Sequence, residues 1–226
     1  NVVPAGTLSP VTSPQETFQQ LVERYSDLVD ERLAEIVSSD AGLENLHEAM
    51  EYSMGLDLDD RKARGKRLRP VLCVLTAEAL GGEVEQALPF ACAIELMHNF
   101  ALVHDDIEDG DEVRRDRPSV WVKYGAANGI NIGDYLLCKV YGTLIEQKTL
   151  PPATRLELLK LMTDTLDHTI VGQALEISAR DQRTFSHEEY IRLVREKTAH
   201  YLAAPMIGGA IVAGADHGVI NALESF

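Results

Sequence analysis

Acidic side chains crowd into one short run, His104-Asp105-Asp106-Ile107-Glu108-Asp109. Asp105 and Asp109 stand one helical turn apart, so their carboxylates share a face, and Asp106 flanks them. Like charges this close repel, and burial would raise their pKa values. The run also closes a largely apolar stretch, at a helix C-terminus where the dipole disfavours anions. A hard divalent cation offsets both costs, and Mg²⁺ takes one or two carboxylates together with substrate phosphates. The bland alternative is a solvated acidic helix end. His98 lies seven residues before Asp105, and an ideal helix puts His98, Ala101, Asp105 and Asp109 on one stripe. His98 is therefore either a satisfied core histidine or part of the same binding site.

Cationic residues cluster in two places. Arg114-Arg115 follows the acidic run, either as a surface ion-pair network or as a phosphate clamp, since guanidinium suits bidentate phosphate contact. Gly65-Lys66-Arg67-Leu68-Arg69-Pro70, with Arg61, Lys62 and Arg64, is the densest basic cluster in the chain. Lys and Arg number 21 against 36 Asp and Glu, a net charge of −15. In so acidic a chain this cluster reads as an anion site more readily than as a solvated face. The overall charge repels nucleic acid and anionic lipid headgroups, so neither is an expected partner.

These residues need a scaffold, and the pattern is helical almost throughout. Residues 1–13 are rich in Pro, Ser, Thr and Gly and read as a flexible tail. The chain starts at Asn1 with no charged segment before an apolar core, which predicts a trimmed start, no secretory signal and a cytoplasmic location. Beyond residue 13, helical periodicity runs from Phe18 to Ile36, then over 43–54, 71–80, 83–109, 130–146, 153–180, 186–200 and 201–213. Residues 110–119 read as a charged loop. Gly81-Gly82 is a stop signal, and Ser186 with Glu189 forms a capping box. No stretch alternates as a strand. The fold class is all-α, one multi-helix bundle over 14–226 of about eight to ten helices. Ala91 to Val103 is apolar on most of its circumference, which predicts a central buried helix. No run of about 18 apolar residues occurs, so no stable membrane anchor is expected. Cys73, Cys92 and Cys138 sit in apolar surroundings without CxxC spacing, which argues against a disulfide scaffold and fits a reducing compartment.

Taken in order, GKRLRP at 65–70, ELMHNFALVHDDIEDGDEVRRDRP at 95–118, GQALE at 172–176 and Lys197-Thr198-Ala199 resemble the trans-isoprenyl diphosphate synthases, the polyprenyl synthetase family. The resemblance implies the isoprenoid-synthase type of bundle and a Mg²⁺-assisted prenyltransferase that condenses isopentenyl diphosphate with an allylic diphosphate. It implies that Asp105 and Asp109 hold Mg²⁺, with Glu176 standing where the family often has Asp, and that Arg114 contacts the allylic diphosphate. Lys66, Arg69, His98 and Arg115 look like the isopentenyl diphosphate pocket, and Gln173, Lys197 and Thr198 like the groups facing the allylic diphosphate and the nascent cation. Phe100, Ala101 and Met97 resemble a chain-length floor that stops at C20, geranylgeranyl diphosphate, although ideal helix spacing puts Phe100 well round from Asp105. A homodimer is expected by the same analogy.

The family carries a second aspartate-rich motif downstream. No DDxxD follows Asp109, and the DxxD of Asp164 and Asp167 precedes Gly172-Gln173. The chain stops at 222–226, where the helix leading to that motif is expected to begin, so a shortened chain is expected. Two other readings compete. A class I terpene cyclase shares the fold but uses one diphosphate, and so has no need of the GKRLRP cluster with His98 and Arg115. A non-catalytic partner subunit of a prenyl synthase accounts for the missing second motif, but not for an intact first one.

Overall fold

The computed structural model describes residues 14–38, 44–59, 64–180 and 186–225. The tail expected over 1–13, and Arg61 and Lys62 of the basic cluster, lie outside them.

Helix α1, Pro14–Ser38, buries Tyr25, Val29, Leu33 and Val37, each four residues from the last, along one stripe. Helix α2, Glu44–Met54, ends in a turn at Gly55. Helix α3, Leu68–Ala79, takes Pro70 in its first turn, where a missing N–H costs nothing, and stops before Gly81 in a left-handed conformation. Helix α4, Val84–Asp109, is the axis of the bundle. It packs against α1 and α3 and against three helices further along, α6 (Ala126–Glu146), α7 (Pro152–Ala179) and α9 (His200–Val212). Phe90 through Met97 are all buried. By length and composition α4 could cross a membrane, but most of its apolar stretch is buried inside the bundle. That differs from the expectation that no such segment exists, because interspersed Asn, Glu and His break the apolar run without making the helix polar.

Three further details depart from the sequence expectation. The charged loop holds a two-stranded hairpin, β1 Val113–Arg114 paired antiparallel with β2 Arg117–Pro118. Its two connecting residues, Arg115 and Asp116, both have positive φ, 53° and 60°, the signature of a type I′ turn. A short helix α5, Val120–Tyr124, follows, and α6 starts at Ala126 rather than Ile130. Gly125 and Gly129 bracket that first turn and mimic a loop in the sequence. Finally, α8 (His187–Val194), a π-turn (Arg195–Ala199) and α9 run on without a break. The expected capping box is present, with Ser186 Oγ accepting from the Glu189 amide at 3.2 Å and the Ser186 amide donating to Glu189 at 2.8 Å. Helix α10, His217–Glu224, completes the described chain. Cys73 and Cys92 are buried as expected, whereas Cys138 is exposed, and none of the three is bridged.

One buried cation ties the first half together. The Arg67 side chain is 1% exposed. Its Nε donates to Asp30 on α1 at 2.7 Å, one terminal nitrogen to Glu95 on α4 at 2.6 Å, and the other to the Met54 carbonyl at 2.8 Å. Asp30 also takes Arg64 at 3.3 Å, and Glu95 takes the Asn99 amide at 3.2 Å. The charges are matched and the guanidinium is fully bonded, the condition under which burial is tolerated. Arg67→Met leaves Glu95 buried with only the neutral Asn99 amide and Asp30 with only the longer Arg64 contact. Urea unfolding is expected to show a loss of about 3–5 kcal/mol, against less than about 1 kcal/mol for the exposed Arg24–Glu78 pair.

Candidate active site

Two cavities meet on one flank of α4. The first, about 560 Å³, is basic: Gly65, Lys66, Arg67, Arg69, His98, Arg114 and Arg115 line it. The second, about 430 Å³, is mostly apolar, with Phe100, Ala101, Leu102, Ile170, Ala174 and Ile177 on its walls. Asp105, Glu108, Gln173, Lys197 and Thr198 supply its polar groups. Arg69, His98 and Leu102 line both, so the basic cleft and the apolar cavity share a wall.

The basic cleft is built on awkward backbone. Gly65 has φ +104°, a region that side chains rarely adopt, and its open Cα face lies against the Arg115 guanidinium, 3.6 Å from where a Cβ would stand. Arg67 is itself left-handed at φ 47° as it enters α3. With Arg67 pinned in the core, Lys66 and Arg69 on either side of it reach the cleft. Sequence reasoning counted Arg67 with the anion-binding cations, whereas its guanidinium is wholly engaged with Asp30, Glu95 and Met54. Arg69 lies over the Tyr201 ring, 4.5 Å from its centroid, and its Nε is buried with no hydrogen-bond partner among the described residues. Arg115 is half-buried, and burial together with Arg67 pulls its pKa below the ordinary value. A buried arginine beside other arginines is unfavourable unless an anion joins them.

The aspartates of the acidic run divide their work. Asp105 lines the apolar cavity and is half-buried. Burial, and then Asp109, Glu108 and Glu176, raise its pKa above the carboxylate norm, against the opposing pull of Lys197. Asp106 points elsewhere: it is 2% exposed and accepts Arg114 Nε at 2.9 Å and a second Arg114 nitrogen, anchoring the hairpin to α4. Asp109 pairs with Arg180 at the end of α7. Glu176 pairs with Lys197, and Gln173 donates to Glu108 at 2.7 Å while its own Oε1 is buried without a partner among the described residues.

The structure brings together most of the residues singled out in the sequence. Lys66, Arg69, His98 and Arg115 share the cleft; Asp105, Gln173, Lys197, Thr198, Phe100 and Ala101 share the cavity. Four placements differ from expectation. Asp109 and Glu176, grouped with Asp105 as metal ligands, line neither cavity and pair with Arg180 and Lys197. The resemblance puts Arg114 on the allylic diphosphate; in the structure it pairs with Asp106 and lines the basic cleft. Met97 is fully buried in the core and does not line the cavity. Phe100 does line it despite the helical angle, packing edge-on against His104 at 4.8 Å, since the cavity wraps round α4 rather than facing one stripe. Sequence reasoning missed the opposite wall, Ile170, Ala174 and Ile177. Their 4- and 3-residue spacing on the Gln173 face was the available signal. It also missed Tyr201, three residues after Thr198 and donating to the Ile94 carbonyl at 3.0 Å.

Lys197 and Thr198 reach the cavity because the π-turn carrying them lies directly on α7. At Gly172 a Cβ would stand 2.4 Å from the Lys197 amide nitrogen, an approach that no other residue permits.

The all-α bundle thus sets a carboxylate-bearing apolar cavity beside a guanidinium-lined cleft. Residues 45–226 match the polyprenyl synthetase family, and the chain belongs to it. It is 36% identical over 206 residues to a short chain isoprenyl diphosphate synthase of Methanothermobacter thermautotrophicus, covering 91% of this chain and 60% of that protein. It is 38% identical over 164 residues to a geranylgeranyl diphosphate synthase of Methanosarcina mazei, covering 73% and 50%. The solved geranylgeranyl pyrophosphate synthetase of the archaeon Geoglobus acetivorans superposes with a TM-score of 0.82 at 32% identity, over 90% of this chain and 64% of that one. The chain thus spans between 50% and 64% of the length of these three proteins.

Two measurements test the geometry. Gly172→Ala forces α7 and the π-turn apart. It is expected to destabilise the fold by about 1–3 kcal/mol in urea and to perturb the NMR signals of Lys197 and Thr198 more than those of the basic cleft. His98 is pushed down to about 4, first by burial and then by Arg69 and Arg115. Between pH 6.5 and about 4 the unfolded chain therefore takes up a proton at His98 that the folded one refuses, so stability falls as pH falls across that window. The Tm of wild type is expected to drop more steeply there than that of His98→Gln; parallel profiles would show that His98 is not buried beside the arginines.

Proposed function

We propose that this chain carries the two substrate sites of a prenyltransferase that condenses isopentenyl diphosphate with an allylic diphosphate, giving geranylgeranyl diphosphate. The observation that carries the reading is the shared wall of Arg69, His98 and Leu102 between the basic cleft and the carboxylate-bearing cavity. A single-diphosphate reaction needs only one of these; a bimolecular condensation needs both, side by side. The names of the relatives point the same way.

Lys66, Arg69, Arg115 and a neutral His98 suit the isopentenyl diphosphate, whose alkene would then lie toward the shared wall. The apolar cavity takes the allylic chain and keeps water from its reacting carbon. The carboxylates fit Mg²⁺: Asp105, Asp109 and Glu176 offer hard oxygen donors, and burial, followed by its acidic neighbours, raises Asp105 despite the opposing pull of Lys197. When bound there, Mg²⁺ would neutralise the charge gathering on the departing diphosphate. Lys197 and Arg180, which now pair with Glu176 and Asp109, are placed to meet the same diphosphate charge. Gln173 and Thr198 orient groups at the cavity mouth. Arg114 acts through Asp106, holding the hairpin so that Arg115 faces the cleft. Phe100 and Ala101 set the depth available to the growing chain.

The test is incubation with Mg²⁺, isopentenyl diphosphate and an allylic primer, with products resolved by chain length, on this chain and on any longer form that contains it. A C20 product is expected, with Asp105→Asn lowering kcat by about a hundredfold or more and Phe100→Ala lengthening the product by at least one five-carbon unit. A cyclised hydrocarbon with no consumption of isopentenyl diphosphate would replace the reading with a cyclase. No product from either form would replace it with a partner subunit.

A further inference from the structure

Behind the cavity, where α7 meets the π-turn, three side chains converge that the condensation reading does not use: His168, Glu196 and His200. Among the described residues they are the one group of histidine, cysteine or carboxylate side chains whose ligand atoms all lie within 4.8 Å of one another. His168 Nδ1 lies 2.6 Å from a Glu196 oxygen, and the His168 and His200 rings stack at 3.9 Å with 12° between their planes. All three are half-buried. His168 is one turn before Gly172, the point where α7 touches the backbone of Lys197. Glu196 lies in the π-turn, and His200 opens α9 four residues later, so both project from one side of the same turn. π-turns inside α-helices gather at functional positions.

We propose that His168, Glu196 and His200 form a site for a divalent transition-metal ion, such as Zn²⁺, Co²⁺ or Ni²⁺, that clips α7 to the π-turn. Two imidazoles and one carboxylate suit these ions, whereas Mg²⁺ favours oxygen ligands and keeps its water. A metal must lie in the plane of each ring it binds, and stacked rings cannot both aim in-plane lone pairs at one point. Binding therefore turns one imidazole about its own axis and exchanges the ring stack and the His168–Glu196 hydrogen bond for metal–ligand bonds. Both imidazoles are half-buried and so keep part of their surface in solvent. Three protein ligands leave at least one position for water, so the ion holds two elements together instead of being enclosed. The assignment rests only on these three side chains and is independent of the condensation reading.

The experiment titrates chelator-treated protein with Co²⁺ in saturating Mg²⁺, which occupies the acidic site, and follows visible d–d absorption alongside calorimetry. One Co²⁺ per chain is expected, with the strong bands of a low-coordinate nitrogen–oxygen site. Zn²⁺ should displace the colour and raise Tm by about 5–10 °C at roughly hundredfold excess over Kd; Mg²⁺ should do neither. His168→Gln and His200→Gln should each weaken binding by about a hundredfold or more, while Asp105→Asn keeps the bands. Circular dichroism of the metal-free variants separates lost ligands from lost fold, and the wild-type titration stands without any variant. Absence of Co²⁺ binding to wild type, bands that survive both histidine substitutions, or bands lost in Asp105→Asn would each overturn the proposal.

Discussion

The Arg67 guanidinium, closed on Asp30, Glu95 and the Met54 carbonyl, is the constraint from which the rest of the site follows. It joins α1, the end of α2 and α4 at one buried point. Because Arg67 must point inward, the residues beside it in GKRLRP must point outward, and the cleft acquires Lys66 and Arg69. Because Glu95 is held, Asn99 one turn later is held too, donating to the Glu95 carbonyl at 2.8 Å. Asn99 in turn lies 3.5 Å from Arg115. Replacing Arg67, Asp30 and Glu95 together by packed hydrophobic residues could fill the same volume more comfortably. It would not fix which way the neighbouring cations face.

The same economy governs the acidic run. In a row of carboxylates, one must be spent on architecture if the others are to be aimed. Asp106 is buried under Arg114 and so fixes the hairpin, while Asp105 and Asp109, one turn apart, are left toward the cavity mouth and Arg180. Positive and negative sites are thus a few residues apart in sequence yet face different cavities. In a chain of net charge −15, that separation lets anions be bound locally against an unfavourable overall field.

Much of this was legible in the sequence. Helix periodicity located α1, α4 and α7 within a few residues, and a seven-residue step aligned His98 with Asp105. What periodicity could not give was the partner of each charge. Arg67 and Lys66 are adjacent cations of the same local context, and only the packing of α1 against α4 makes one structural and the other exposed. Arg114 and Asp106 illustrate the same limit, since their pairing depends on a tight turn at Arg115-Asp116 that no Gly or Asn announces. The π-turn was hidden for a related reason. Its sequence, REKTA, is an ordinary helical pentapeptide, and the widened turn arises only where Gly172 lets α7 press against it.

A π-turn is an α-helix with one residue too many. Excision of a single position between 195 and 199 would restore a regular helix and keep every hydrogen bond in the ladder. The helices on either side would stay nearly in phase, and the change would fall on the side chains inside the turn. Lys197 and Thr198 could then no longer face the cavity while Tyr201 stayed beneath Arg69. The surplus residue thus widens the turn that presents Lys197 and Thr198 to the cavity. The length of this segment is consequently less free to vary than its unremarkable composition suggests.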